Sequence, residues 1–480
     1  MPNFVDPAAL SGNSFDLVII GSGFGSSFYL HRMLQRAAAK RILVLEWGQH
    51  HPHDWQIQHD RNTEVDPATT YSSTSRKPWN FTIGLGGGTN CWFAQTPRFH
   101  PNDFRLRSAY GIGADWPLSY DELEPYYAQA ETIMSISGDE RMAAVLPRST
   151  PFPQPPHRLT APDRLMAAAQ PRQHFAMPTA RARVATPKRA ACCASLRCML
   201  CPADAKFTLN NGLMELFDHP AVSLAVQSQV VRLEASGSAV RSAVVRSGDR
   251  EFRVSGDRFI LGANAIHSPA ILLRSGMDHG PTGRGLHESY GCHVEALLNG
   301  VDNFDGSTIT TGLNYGLYDG PHRREAGAAL VYFDNRWKHG LRAIPGRWRQ
   351  TLPLMVVTED LLEDANLVSV DGAGAPVVTY HGPADYAVRG QQRALAQLPE
   401  LLRPLPVEEI VFHSQRPTES HLQGTLRMGR DANSSVVDAA MLHHRWRNLT
   451  VVGTSVFPTC SAANPSLTAA ALSLRAADLA

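Results

Sequence analysis

Residues 15–46 constrain the fold of this chain more than any other stretch. The run FDLVII at Phe15–Ile20 is short, apolar and rich in branched residues, the pattern of a strand buried on both faces of a parallel sheet. It runs directly into GSGFGSS and a helical stretch, and a second strand, RILVLE, ends at Glu46. Gly21 permits a tight turn, Gly23 lets the backbone approach a pyrophosphate, and Ser26 is the third small residue that lets the helix pack on the strand. The N–H groups that open the helix face an anion. A carboxylate at the end of the second strand accepts hydrogen bonds from a ribose hydroxyl. A glycine-rich turn by itself is compatible with a loop that binds nothing. Strand, turn, helix, strand and acid in this order favour a dinucleotide site, with the dinucleotide still open.

The rest of the chain narrows the class. With 480 residues and 43% hydrophobic content, it can build two domains, or one large domain with an inserted partner. Its 45 basic and 44 acidic side chains nearly cancel, so no nucleic-acid footprint is expected. No run approaches the roughly 18 apolar residues of a membrane span, and no basic-then-apolar leader precedes Phe15. The expected location is the cytoplasm. Thiols stay reduced there, so the seven cysteines are read as ligands, reactive groups or core residues before disulfides.

The C-terminal region carries a second set of signals. LTVV at Leu449–Val452 is another buried-strand pattern, followed by a small-residue turn and a long Ala/Leu-rich helix. HLQGTLRMG lies upstream at His421–Gly429. Elsewhere stand GLGGGTNCW at Gly84–Trp92, ADWPLSYDELEPYY at Ala114–Tyr127 and FILGANAIHSPAILLRSG at Phe259–Gly276. Together and in this order, over most of the chain, these segments resemble the glucose-methanol-choline (GMC) oxidoreductases.

The resemblance implies an α/β chain, α+β overall, with a Rossmann-like FAD-binding domain of the GMC type and a β-sheet-based substrate domain. The FAD-binding domain is expected to be discontinuous, over residues 1–105, 200–300 and 415–480. Residues 106–199 and 301–414 then cover the substrate, with AALVYF and TLPLMVVTED as strands of a sheet roofing the flavin. The Pro-rich stretch Pro147–Pro162 reads as a linker or surface loop.

Oxidising an alcohol at a flavin requires a base for the hydroxyl proton and a polar group for the oxygen while hydride leaves carbon for flavin N5. By the resemblance, His421 is the base and Asn464 the anchor. An imidazole titrates near working pH, and an amide donates to a developing alkoxide without competing for the proton. Many family members carry histidine at the second position; asparagine resembles the branch of pyranose and cholesterol oxidases. The bland alternative is that His421 caps a turn and Asn464 satisfies backbone before Pro465. The chain has 20 histidines, so it is position by resemblance that singles out His421.

Cofactor contacts are expected from Gly21, Gly23, Phe24, Gly25, Ser26 and Glu46 in the first unit. The glycine cluster adds Gly87, Gly88, Thr89, Asn90, Cys91 and Trp92, where absent side chains let backbone lie against the cofactor. Val230 is expected to clasp adenine through its backbone. Ala263, Gly453, Thr454, Pro465, Ser466 and Leu467 complete the set. Some relatives carry a covalent flavin on a histidine near position 91; this chain has none there, so the FAD is read as noncovalent, with a link through Cys91 as the rival.

ACCASLRCMLCPADAKF places Cys192, Cys193, Cys198 and Cys201 within ten residues. Clustered thiolates in a reducing compartment point to a metal. The segment resembles one that holds a [3Fe–4S] cluster in flavin subunits of some bacterial sugar dehydrogenases, although the last spacing is one residue shorter. Another iron–sulfur cluster, structural zinc, and redox-active or buried thiols are the competing readings. A cluster would suit a dehydrogenase that feeds a protein or quinone acceptor. The expected substrate is a sugar, amino sugar or cyclitol-like alcohol. The alternatives are an oxygen-using oxidase of the pyranose or sterol type and a non-catalytic flavin electron-transfer module. Tyr315, Tyr318, Tyr332, Trp337 and Trp348 are candidates for stacking on a sugar, against a plain core role.

Overall fold

The computed structural model of the chain describes residues 2–37, 39–335 and 346–480. The stretch that begins at Phe15 forms β1 (Ser14–Ile20), α1 (Phe24–Gln35) and β2 (Ile42–Leu45). Leu17, Val18, Ile19 and all of β2 are almost entirely shielded, as an apolar run without alternation requires of a central parallel strand. Further along come β5 (Val222–Ala225), β6 (Gln229–Ser236), β7 (Ala239–Ser247), β8 (Arg250–Leu261, followed by helix α3, Asn264–Arg274) and β16 (Leu449–Val451). They join in the order β5-β2-β1-β8-β7-β6, and β16 pairs with β8. β5, β2, β1, β8 and β16 are mutually parallel, whereas β6 and β7 form an antiparallel hairpin on β8.

This sheet gathers segments from both ends of the chain. Helix α5 (Ser466–Asp478) is buried on nearly every face, which explains its Ala/Leu composition. It lies against α1, with the Arg32–Asp478 ion pair at 2.7 Å, and against α2 (Tyr120–Met134), with Tyr127 hydroxyl 2.8 Å from Thr468 Oγ1.

The second sheet has the order β15-β9-β12-β11-β10-β4 and is antiparallel throughout. Its strands are β4 (His174–Ala176), β9 (Tyr290–Leu298), β10 (Thr310–Asn314), β11 (Ala329–Asp334), β12 (Thr351–Thr358) and β15 (Val407–Gln415). AALVYF and TLPLMVVT become β11 and β12, both buried over their whole length. Alternation still governs them. Val331, Phe333, Leu354 and Val356 pack with Ala394, Leu398 and Leu401 of α4 (Asp385–Leu401), while Leu330, Tyr332, Met355 and Val357 join the main core on the other face. β9 belongs to this sheet, although residues 290–298 fall within the stretch the sequence reading gave to FAD binding.

A small third sheet joins β13 (Leu367–Val370), β14 (Pro376–Thr379) and β3 (Ser72–Ser73). The Pro-rich stretch at 147–162 is anchored rather than loose: Gln154, His157 and Thr160 are buried within it, and His157 Nε2 lies 2.9 Å from the Arg181 carbonyl. Among the described residues no helix is long and apolar enough to cross a membrane.

Candidate active site

The ends of the chain meet at the glycine turn after β1. Gly21 has φ +88°, and a Cβ there would stand 2.6 Å from the Gly262 carbonyl oxygen. A Cβ on Gly25 would stand 2.6 Å from Gly453 N and 2.9 Å from Val452 C, so α1 starts directly against the end of β16. A close helix–strand contact is therefore made at Gly25, next to the one expected at Ser26. Ser26 is buried, and its hydroxyl fills the space left open by Gly262, where a Cβ would come within 2.2 Å. Gly23 differs from both, since a Cβ there meets nothing closer than Gly88 N at 3.9 Å.

A cavity of about 400 Å³ opens at this junction. At one end lie Glu46, Val230, His267 and Arg274; at the other lie His421, Asn464 and the roof residues Tyr332, Met355 and Val357. Of the expected cofactor contacts, Gly21, Gly23, Phe24, Gly25, Glu46, Gly87, Gly88, Cys91, Trp92, Val230, Ala263, Gly453, Thr454, Pro465 and Ser466 line it. Ser26, Thr89, Asn90 and Leu467 stand outside the lining. Thr89 Oγ1 accepts from Leu209 N at 3.0 Å, Asn90 Nδ2 donates to the Leu85 carbonyl at 2.9 Å, and Leu467 sits in the core.

Glu46 is buried, which pushes its carboxyl pKa up, while hydrogen bonds from Ser22 Oγ (2.6 Å) and Gly48 N (3.0 Å) oppose the shift. Ser22 Oγ also accepts from Gly86 N at 2.9 Å and so ties the two glycine loops together. Gly86 and Gly87 both have positive φ and lead into one helical turn, Gly88–Cys91. The buried Lys206 ammonium braces that turn by donating to the carbonyls of Asn90 (2.7 Å), Trp92 (3.1 Å) and Met199 (3.0 Å).

His421 and Asn464 are brought together. Asn464 Nδ2 lies 3.1 Å from His421 Nε2, and His421 Nδ1 lies 3.0 Å from Ser289 Oγ. An amide nitrogen only donates, so Nε2 is the acceptor and Nδ1 carries the proton toward Ser289. Asn464 is oriented by Tyr332, whose hydroxyl donates to Oδ1 at 3.2 Å, and by Gln95 Oε1, 3.3 Å from Nδ2. Gln95 Nε2 in turn donates to Thr310 Oγ1 at 2.7 Å.

The loop that carries His421 is organised by Glu288. This carboxylate accepts from the backbone N–H groups of His421 (3.2 Å) and Glu419 (3.1 Å) and from Thr418 Oγ1 (3.0 Å), and it pairs with Lys77. Burial, then the nearby charges of Arg416 and Lys77, lowers the His421 pKa to about 3. The imidazole is thus neutral at neutral pH, the state a base requires. Ser289, Glu288, Lys77 and Gln95 were not anticipated from the sequence. Each lies more than 100 residues from the group it supports, and no local pattern marks it.

The cysteine expectation changes. Among the described residues no group of three or more His, Cys, Asp or Glu side chains is arranged to hold a metal ion. Cys192 Sγ lies 3.7 Å from Thr308 Oγ1, and Cys193 is exposed. Cys198 Sγ accepts from Arg181 Nη1 at 3.6 Å, and Cys201 Sγ accepts from Ala205 N at 3.3 Å. As arranged, the four thiols do not form a metal-binding group. Of the aromatic candidates, Tyr332 faces the cavity, Tyr315 and Tyr318 are core residues, Trp348 lies away from the lining, and Trp337 lies outside the described residues.

Residues 367–473 match the family described as GMC oxidoreductase. The chain is 26% identical to the fructose dehydrogenase large subunit of Gluconobacter japonicus, over 97% of each chain. It is 27% identical to 6'''-hydroxyparomomycin C oxidase of Streptomyces lividus, over 96% of this chain and 90% of that one. The crystal structure of pyridoxine 4-oxidase from Mesorbium loti superposes with a TM-score of 0.67 at 17% identity, over 97% of this chain and 99% of that one, which establishes a shared fold.

Proposed function

We propose that this chain, whose residues 367–473 match the family described as GMC oxidoreductase, is an FAD-dependent dehydrogenase that oxidises a hydroxyl of a sugar, amino sugar or cyclitol-like alcohol to a carbonyl. The observation that carries this reading is the His421–Asn464 pair, 3.1 Å apart on the wall of the cavity where head and tail meet. On this reading the open backbone at Gly23 and the N–H groups that begin α1 hold the diphosphate, Glu46 holds the ribose and Val230 the adenine. Gly87, Gly88, Cys91, Trp92, Gly453, Thr454, Pro465 and Ser466 enclose the ring system, and no covalent link is invoked. FAD, when bound, supplies the two-electron acceptor.

The protein's own residues do the rest. His421 Nε2 takes the hydroxyl proton when the substrate oxygen displaces the Asn464 amide from it, while Ser289 Oγ accepts a hydrogen bond from Nδ1–H and so keeps the ring proton on Nδ1. Asn464 Nδ2, aimed by Tyr332 and Gln95, donates to the oxygen as it becomes a carbonyl. Glu288 holds the loop so that the two groups stay in reach of one another. No step is assigned to Cys192, Cys193, Cys198 or Cys201.

Similarity to a protein named as a dehydrogenase supports an electron acceptor other than oxygen, and a protein or quinone is the acceptor proposed. Kinship with a paromomycin-type oxidase supports the second reading, in which oxygen is the acceptor. Replacing His421 with Gln should preserve the yellow flavoprotein while slowing anaerobic bleaching by substrate about 10²–10⁴-fold, the usual contribution of a general base. Bleaching at the wild-type rate would remove His421 from the chemistry. Reoxidation of the bleached protein by a quinone but not by air would establish the dehydrogenase, and the reverse the oxidase.

A further inference from the structure

We infer that Arg416 and Glu419 determine the substrate class, selecting a neutral alcohol with two adjacent hydroxyls over charged sugars and over simple alcohols. This rests on the reading of His421 and Asn464 as the reacting pair. Both side chains line the same cavity as that pair. Arg416 Nε stands 2.8 Å from Glu419 Oε1, and both side chains are largely buried, at 20% and 6% exposure. Arg416 Nη1 points at the thioether of Met355, a weak acceptor, and Nη2 donates to no described residue.

The surrounding backbone is shaped for the pair. A Cβ on Gly291 would come within 2.1 Å of Glu419 Oε1 and 3.4 Å of Arg416 Cδ, so the two side chains occupy space that any other residue on β9 would fill. Arg416 N donates to the Gly291 carbonyl at 2.8 Å, and Glu419 N donates to Glu288 at 3.1 Å, which fixes both ends of the turn that carries them.

A buried ion pair is a poor way to stabilise a fold, because desolvation offsets the Coulomb attraction. On the wall of a binding cavity it has a clearer use. A lone guanidinium selects carboxylates and a lone carboxylate selects ammonium groups. Paired, their charges cancel, leaving unspent N–H donors beside a carboxylate that can accept several hydrogen bonds. Two adjacent hydroxyls present the complementary set: one oxygen accepts from Arg416 while the neighbouring O–H donates to Glu419. An amino sugar or a uronate would leave one member of the pair facing a like charge.

The test is anaerobic flavin reduction of the holoenzyme with D-glucose, D-fructose and myo-inositol, with D-glucosamine and D-glucuronate as charged counterparts, and with benzyl alcohol as a single hydroxyl. The neutral polyols should half-saturate reduction at lower concentration than their charged counterparts. Arg416→Met and Glu419→Gln should raise that concentration by at least about tenfold more for the best polyol than for benzyl alcohol. Arg416→Lys, which keeps the charge but not the fork, guards against a variant that fails to fold and should show the same selective loss. Preference for glucosamine or glucuronate, or an equal loss for polyol and benzyl alcohol, overturns the inference. Wild-type reduction by benzyl alcohol but by no polyol overturns it alone. A flavin that no alcohol reduces overturns the proposed function as well.

Discussion

At the scale of single residues, the chemistry depends on an imidazole held neutral and in one tautomer. Ser289 Oγ accepts from Nδ1–H, so the lone pair that abstracts the proton is on Nε2, where Asn464 Nδ2 donates to it until a substrate hydroxyl takes that place. Burial, with Arg416 and Lys77 nearby, drops the His421 pKa to about 3, so protonation does not silence it under mildly acidic conditions. The rate of substrate-driven flavin reduction should therefore stay level from pH 8 to about pH 5, well below the ordinary histidine titration. A rate that halves near pH 6.5 would show an imidazole titrating as if in water. His421 and Asn464 were legible because each sits in a motif that resembles a family signature. Glu288 and Lys77 were not, since a carboxylate 133 residues before its partner carries no mark of that role.

At the scale of elements, two glycines in one turn have different jobs. Gly25 faces backbone that cannot retreat, because Val452 and Gly453 end a paired strand, whereas Gly23 faces open space. Gly25→Ala should destabilise even the cofactor-free protein by about 1–3 kcal/mol, the usual cost of overpacking, read as a lower thermal midpoint. Gly23→Ala should leave that midpoint nearly unchanged and instead weaken FAD retention, measured by the 450 nm absorbance that survives gel filtration. Equal behaviour of the two variants would contradict this division. The sequence showed that small residues were needed here and named Ser26 for the tight helix contact, but it did not mark Gly25 for one. The partner backbone at Val452–Gly453 is more than 400 residues away in the chain, and only the assembled sheet reveals which residue it touches.

At the scale of the whole molecule, several histidines besides His421 are buried in neutral form. Burial lowers the pKa of His267 and His443 to about 3, and of His157 and His287 to about 4. The unfolded chain titrates these groups near 6.5, so below that pH it binds protons that the native protein does not. Their contribution to stability is complete above pH 6.5 and is lost as pH falls toward the folded values. Each removes up to about 1.4 kcal/mol per pH unit in that window. Urea unfolding at pH 7.5 and 5.5 should show a markedly lower midpoint at the acidic pH, and equal midpoints would show that these rings are solvated. What the sequence determined by itself is the local grammar: β1, the glycine turn, α1 and β2, the apolar runs of β11 and β12, and the small-residue composition of α5. Each of these follows from periodicity and side-chain size within a short window. Tertiary structure alone decided what those elements meet. It set β9 in the roof sheet, left Cys193 exposed next to a half-buried Cys192, and paired Arg416 with Glu419 in the space left by Gly291. Contacts between distant segments depend on how sheets stack and where backbones approach, and those distances are set only when the whole chain packs.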